Sequence, residues 1–216
     1  MKKYKAVLFD MDGVIADSMH WHAESWQKVF NDFGIELSKA EIFKREGMSG
    51  LASIIDIIKE KGKRIPGNDE LHLLQKNKLE LFETGKVEVY PYAIDILEIV
   101  HLKNLKTGLV TGSLRRSVDF ILPAEIVKYF DVIVTVDDIN NGKPHPEPYL
   151  KAMKELDSGP EETLVIENAP LGIISAKEAG ADCYALETTL DSCHLEEADM
   201  IFRSHEQLLN YLKDNL

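Results

Sequence analysis

Charge-free apolar runs and helically spaced apolar residues take turns along the chain. Short runs rich in β-branched and aromatic residues occupy 6–9, 107–110, 132–136 and 163–166, with weaker ones at 183–186 and 200–202. Runs of this length without an internal charge predict strands buried on both faces, as in a parallel sheet. Between most of them the apolar spacing becomes helical, over 92–101, 116–122, 147–156, 171–179 and 206–212. Pro91 is expected to open the first of these helices, because proline suits a first helical position. Strand and helix in alternation predict a layered α/β fold, a parallel sheet with helices on both faces.

Residues from 18 to 88 break that rhythm. Segments 20–33, 39–46, 51–61 and 69–82 all read as helices, and no strand stands out among them. Leu71, Leu74, Lys78, Leu81 and Phe82 form one stripe at helical spacing, and Ile54, Ile55 and Ile58 another. Gly34, Gly47, Gly50, Gly62, Pro66 and Gly67 mark the turns between them. The expected organisation is an α/β core built from 1–17 and 88–216, with 18–87 inserted as an all-helical domain.

The 216 residues are 44% hydrophobic, enough for a substantial core, and disorder is excluded. With 37 acidic against 25 basic residues the formal net charge is -12, a field that repels nucleic-acid backbones. No nucleic-acid partner is expected. Two cysteines, Cys183 and Cys193, support neither a zinc site nor a disulfide framework. The apolar run before Asp10 is too short for a signal segment or a membrane span, so no membrane partner and a cytoplasmic location are expected. Nothing in the sequence points to a dimer, and a monomer is the expectation.

In an open parallel sheet, ligands gather beyond the carboxyl ends of the strands. Four polar clusters are candidates for that position: Asp10 with Asp12, Thr111 with Gly112 and Ser113, Lys143 among its prolines, and Glu167 with Asn168. Each alone also reads as an ordinary turn or cap, but four in one sheet predict a site. Two carboxylates as close as Asp10 and Asp12 require a cation or a shared proton. Magnesium, a hard ion served by oxygen ligands, suits them. With one Asp held ionised to attack phosphorus, the other can exchange a proton with the leaving oxygen or with water. Thr111 and Ser113 offer hydroxyls and N–H groups as an anion seat, and Lys143 offers a point charge to a phosphoryl group.

The runs DMDGVIADS (10–18), LVTGS (109–113), GKPHPEPY (142–149) and VIENAPLGIISAKEAGA (165–181) closely resemble, in order, the four motifs of the haloacid dehalogenase-like superfamily. The helical insert resembles the cap of its β-phosphoglucomutase-like members. The resemblance spans essentially the whole chain and implies a Rossmann-like core. It implies Asp10 as a nucleophile forming an aspartyl-phosphate, Asp12 as the acid/base residue, and Thr111 and Lys143 as holders of the phosphoryl group. It also implies Mg2+ held by Asp10, the Asp12 main-chain carbonyl and Asn168, with Glu167 close by. Asn168 stands where many relatives carry Asp, which removes a charge from the metal site.

The cap is expected to decide the substrate. His22 and Trp26 look like the hinge-side pair of β-phosphoglucomutase. The arginine that follows a glycine there and holds a second phosphate has no counterpart in Arg45-Glu46-Gly47-Met48-Ser49-Gly50. Loss of that bidentate clamp argues against a mutase. Glu46 and Lys78 look similar to the cap residues of pyrophosphatase-type members. The expectation is a magnesium-dependent phosphohydrolase for a small phosphorylated metabolite or inorganic pyrophosphate. Cap closure would bring Glu46, His22 and Lys78 to the leaving-group side. A β-phosphoglucomutase-type mutase and a catalytically weak phosphometabolite-binding protein are the alternatives. The plain alternative for Glu46 is a solvated helix end, and for Lys78 a snorkelling edge of its helical stripe.

Overall fold

The computed structural model describes residues 4–216, so the first three positions of the expected core segment 1–17 lie outside the described residues. The chain opens with β1 (Ala6–Phe9) and the two-residue β2 (Ala16–Asp17). Four helices follow: α1 (Met19–Asp32), α2 (Lys39–Phe43), α3 (Gly50–Glu60) and α4 (Asn68–Phe82). Next come β3 (Glu88–Val89), α5 (Ala93–Leu102), β4 (Lys106–Val110), α6 (Arg115–Ile121), α7 (Ala124–Val127) and β5 (Val132–Val134). The chain ends with α8 (Glu147–Glu155), β6 (Thr163–Glu167), α9 (Pro170–Glu178), β7 (Asp182–Leu186), β8 (Met200–Phe202) and α10 (His205–Asn215).

Six strands form one parallel sheet in the order β5-β4-β1-β6-β7-β8. Side chains alternate across it. Val7, Phe9, Leu109, Leu164 and Ile166 enter one apolar cluster, and Leu8, Val110 and Val165 enter the other. Helices cover both faces, which is why these runs tolerate no charge. The fold is the expected Rossmann-like α/β sandwich with an inserted helical cap.

The cap helices α1 to α4 close on a third cluster that includes Trp26, Phe30, Ile42, Ile54, Ile57, Leu71 and Leu74. Each such side chain contributes roughly 1.5–3 kcal/mol on burial, which offsets the weak intrinsic stability of short helices. Ser38 caps α2 by accepting from the Glu41 N–H while Glu41 accepts in return from the Ser38 N–H. Where the insert leaves and rejoins the core, β2 and β3 pair antiparallel, Asp17 opposite Glu88.

Some expected boundaries shift. The helix after Pro91 begins at Ala93, because Tyr92 takes a left-handed conformation (φ 67°) as its N-cap. The 132–136 run stops being strand at Val134, and Thr135 with Asp138 caps a 3₁₀ turn instead. Pro123 separates α6 from the unexpected short α7. The 39–46 helix ends at Phe43, so Glu46 sits in a turn before Gly47. Among the described residues no helix is long and apolar enough to cross a membrane.

Candidate active site

β1 lies between β4 and β6, and the chain turns to one side of it and then the other. A crevice forms at such a reversal, beyond the strand ends. Asp10 follows β1, Thr111 follows β4, and Glu167 ends β6. Gly13 makes the turn after β1 with φ +86°, and a Cβ there would stand 1.9 Å from Asn168 Nδ2. Only glycine lets these two strand ends approach so closely.

Lys143 ties three strand ends together. Its Nζ donates to Asp10 Oδ1 (2.6 Å), Glu167 Oε1 (2.7 Å) and the Val110 carbonyl (3.0 Å). Burial alone would lower this lysine, but Asp10 and Glu167 outweigh it and hold the ammonium above its ordinary value. Glu167 Oε1 also accepts from the Tyr149 hydroxyl (2.8 Å), and Oε2 accepts from the backbone N–H groups of Asn168 and Ala169 (2.9 and 3.2 Å). Both of its oxygens are thus engaged twice, and Glu167 anchors Lys143. Burial pushes Asp10 up to about 8, Lys143 pulling against it and Glu167 and Asp12 adding to the rise. One ammonium does not neutralise this many acids.

Asp12 has the opposite environment. Oδ1 accepts from Ser18 Oγ (2.5 Å) and meets His22 Nε2 (3.0 Å), while Oδ2 accepts from Ser113 Oγ (2.9 Å) and Thr111 Oγ1 (3.4 Å). Burial opposes ionisation, but His22 and these hydroxyl donors outweigh it and hold the carboxyl below the usual carboxylate range. His22 Nδ1 lies 2.7 Å from Lys78 Nζ. A neutral imidazole with its proton on Nε2 satisfies both neighbours at once, consistent with burial and the Lys78 charge lowering His22. Lys78 is buried with its ammonium 4.4 Å from the Phe82 ring centre and 5.4 Å from that of Trp26. It does not snorkel. Burial brings it down to about 7, Asp12 opposing.

The cap is closed over this site. Gly112 faces the Gly47 carbonyl so closely that a Cβ would stand 2.5 Å from it. Glu46 is buried rather than solvated, and its Oε1 accepts from Asn168 Nδ2 at 2.6 Å. Burial raises its carboxyl well above the ordinary value, as do Asp10, Glu167 and Asp12, against the hydrogen bond from Asn168. Arg45 is buried and lines the cavity, but its guanidinium is committed within the cap. Its guanidinium donates to Asp56 (2.8 Å), to Glu60 and to the Glu41 carbonyl (2.5 Å).

A cavity of about 90 Å³ remains between cap and core, lined among others by Asp10, Asp12, His22, Glu46, Lys78 and Ser113. Gly112 also lines it. Thr111, Lys143, Glu167 and Asn168 stand behind this wall and support it. Sequence reasoning missed Ser18, Tyr149 and Thr189. The first two lie inside the quoted motifs, where a hydroxyl beside a buried acid was the available signal. Thr189 follows a weak strand run and carries none.

Among the described residues no three of His, Cys, Asp and Glu gather as metal ligands. Mixed oxygen donors do gather. Asn168 Oδ1 and Glu46 Oε2 are buried without a hydrogen-bond partner. Asp10 Oδ1 spends one lone pair on Lys143 and keeps the other for a cation, which leaves Oδ2 free. Oxygen donors left open beside surplus negative charge fit a hard divalent cation. Glu167, expected near the metal, has no such open oxygen.

The parallel-sheet core, the inserted helical cap and the acidic crevice between them are shared with one class of hydrolases. Residues 7–186 match the haloacid dehalogenase-like hydrolase family, and the chain belongs to that family, in its phosphatase and β-phosphoglucomutase branch with a helical cap. It is 30% identical over 207 residues to validoxylamine A 7'-phosphate phosphatase of Streptomyces hygroscopicus subsp. limoneus, with 93% of each chain covered. It is 27% identical over 215 residues to pyrophosphatase PpaX of Oceanobacillus iheyensis, with 98% of each covered. A candidate β-phosphoglucomutase from Bacteroides vulgatus superposes with a TM-score of 0.89 at 36% identity, over 99% of this chain and 90% of that one.

Proposed function

We propose that this protein is a magnesium-dependent phosphohydrolase in which Asp10 takes the phosphoryl group from a small phosphorylated metabolite or inorganic pyrophosphate. The observation that carries this is the pairing of two buried acids with opposite environments. Asp12 is held by four donors, whereas Asp10 meets one cation and keeps one oxygen open. Asp10 Oδ2 is the atom free to attack phosphorus in line. Asp12, in contact with His22, Ser18 and Ser113, is fixed where it can hand the leaving oxygen the proton carried by His22 Nε2, which Lys78 replaces through Nδ1, and then take one from the attacking water. Lys143 offers its charge and Thr111 its hydroxyl to the phosphoryl group from behind the cavity wall, each exchanging a present partner, Asp10 or Asp12, for a phosphoryl oxygen when substrate binds. Asp10, the Asp12 carbonyl and Asn168 would hold the magnesium ion, with Glu46 facing it from the cap. Bound there, the ion supplies charge neutralisation for the crowded acids and the phosphoryl oxygens.

The closed cap narrows the site to about 90 Å³. Ligand pockets for larger molecules run to about 300–1,000 Å³, so the closed form suits a compact substrate. Arg45 is committed to Asp56 and Glu60, and among the described residues no other arginine lines the cavity to clamp a second phosphate as a mutase requires. We set the division between core and cap at 1–17 with 88–216 against 18–87, where the β2–β3 ribbon forms the hinge.

The test is phosphate release with magnesium across pyrophosphate, sugar phosphates and nucleotides. Selective turnover is expected for compact substrates, falling by at least about 1,000-fold in Asp10→Asn. Release that persists in Asp10→Asn refutes the assigned nucleophile. Interconversion of hexose monophosphates with little release favours the mutase instead.

A further inference from the structure

The loop between β7 and β8 reaches the site through two neighbouring threonines. Thr188 Oγ1 donates to the Gly13 carbonyl at 2.7 Å and anchors the loop on the turn after β1. Thr189 Oγ1 accepts from Asn168 Nδ2 at 3.2 Å and donates to Glu46 Oε1 at 3.4 Å. Asn168 Nδ2 also donates to that same Glu46 oxygen at 2.6 Å. Three parts of the chain, the cap turn, the end of β6 and this loop, therefore close one hydrogen-bonded ring.

Donor and acceptor counting sets the direction of the ring. Glu46 Oε1 accepts from both neighbours, and the proton of a neutral Glu46 belongs on the unpartnered Oε2, so the threonine proton points to Oε1 and the hydroxyl lone pair is left for the amide. Both amide hydrogens are then used. Oδ1, buried and without a partner, is the atom left over. The two ends of an amide have nearly the same shape, so packing alone does not choose between them. A flip would put an N–H where Oδ1 stands, with no acceptor for the proton and no oxygen for a cation.

We propose that Thr189 is a positioning residue that holds the Asn168 amide with Oδ1 free, and thereby sets the affinity of the site for its divalent cation. The inference rests on the magnesium-dependent function proposed above. An aspartate at position 168 would need no such device, since both its oxygens accept. The threonine is the counterpart of the asparagine.

The test is magnesium binding to the substrate-free protein by titration calorimetry. Thr189→Val keeps the shape and removes the hydroxyl, and Thr189→Ser keeps the hydroxyl. Supporting residues of this kind typically govern metal affinity by 10- to 100-fold. Thr189→Val is expected to weaken magnesium binding about 10-fold, while Thr189→Ser stays within about 2-fold of the parent protein. Melting temperatures without magnesium should agree among the three. Binding by Thr189→Val within 2-fold of the parent overturns the proposal, as does equal weakening in Thr189→Ser, which would mark a packing role. A parent protein that binds no magnesium sinks the proposed function, and this inference with it.

Discussion

Asp10 and Asp12 sit two residues apart with opposite protonation tendencies, because their donors differ. Four groups donate to or face Asp12, whereas Asp10 shares a single ammonium with Glu167. Asp10 lies near 8 in the metal-free protein against an ordinary 3.8. Between those values the unfolded chain has lost this proton and the folded protein keeps it. Stability from this group is therefore present in full below about pH 4 and falls as pH rises toward 8. Metal-free Asp10→Asn should gain on the parent steadily from pH 5, its stability margin at pH 9 exceeding that at pH 5 by roughly 4 kcal/mol, measured by denaturant unfolding. A margin that is the same at both pH values would mean that Asp10 carries no excess charge. Magnesium needs the ionised carboxylate, so its half-saturating concentration should drop between pH 6 and pH 8 by up to about 10-fold per unit. Thermal shift against magnesium at several pH values reads this directly, and a flat profile would contradict it.

At the level of elements, the cap turn 44–49 and the β4–α6 turn must touch for the site to form. Gly112 permits it, since a Cβ would collide with the Gly47 carbonyl at 2.5 Å. The obstacle is backbone, so the cap must stay ajar in Gly112→Ala. That variant should fold with nearly the parent's melting temperature while kcat/KM falls by at least about 10-fold, since misplacement near 1 Å has a large effect on rate. Unchanged kcat/KM would show that closure does not limit the reaction. The strand runs are legible in the sequence because a strand buried on both faces excludes charge, and β1, β4 and β6 are found where their runs lie. Helix ends are less legible. Tyr92 in a left-handed cap and the stop of α2 at Phe43 depend on tertiary packing, which no local pattern encodes. The cap turn carrying Glu46 is the clearest case, as its burial is set by Asn168, 122 positions away.

Over the whole molecule, the legible part of the site is the part carried by strand ends. Asp10, Thr111 and Glu167 follow from where the apolar runs stop and a sheet's carboxyl edge begins. Ser18, Tyr149 and Thr189 do not, because a single hydroxyl has no periodicity and gains meaning only when folding places an acid or amide beside it. Lys78 shows the same limit from the other side: a stripe position on an amphipathic helix, it is turned inward by His22 and the aromatic rings. Core and cap thus depend on each other. The core supplies the acids and Lys143; the cap supplies Glu46 and Lys78 and, through His22, one of the donors that distinguish Asp12 from Asp10.

The most direct test of the central claim, that Asp10 takes the phosphoryl group covalently, is an acid-quenched single turnover with radiolabelled substrate followed by peptide mapping. The account predicts an alkali-labile label on the peptide that carries Asp10, absent from Asp10→Asn. A label on another peptide, or phosphate release with no labelled protein at any quench time, would contradict it.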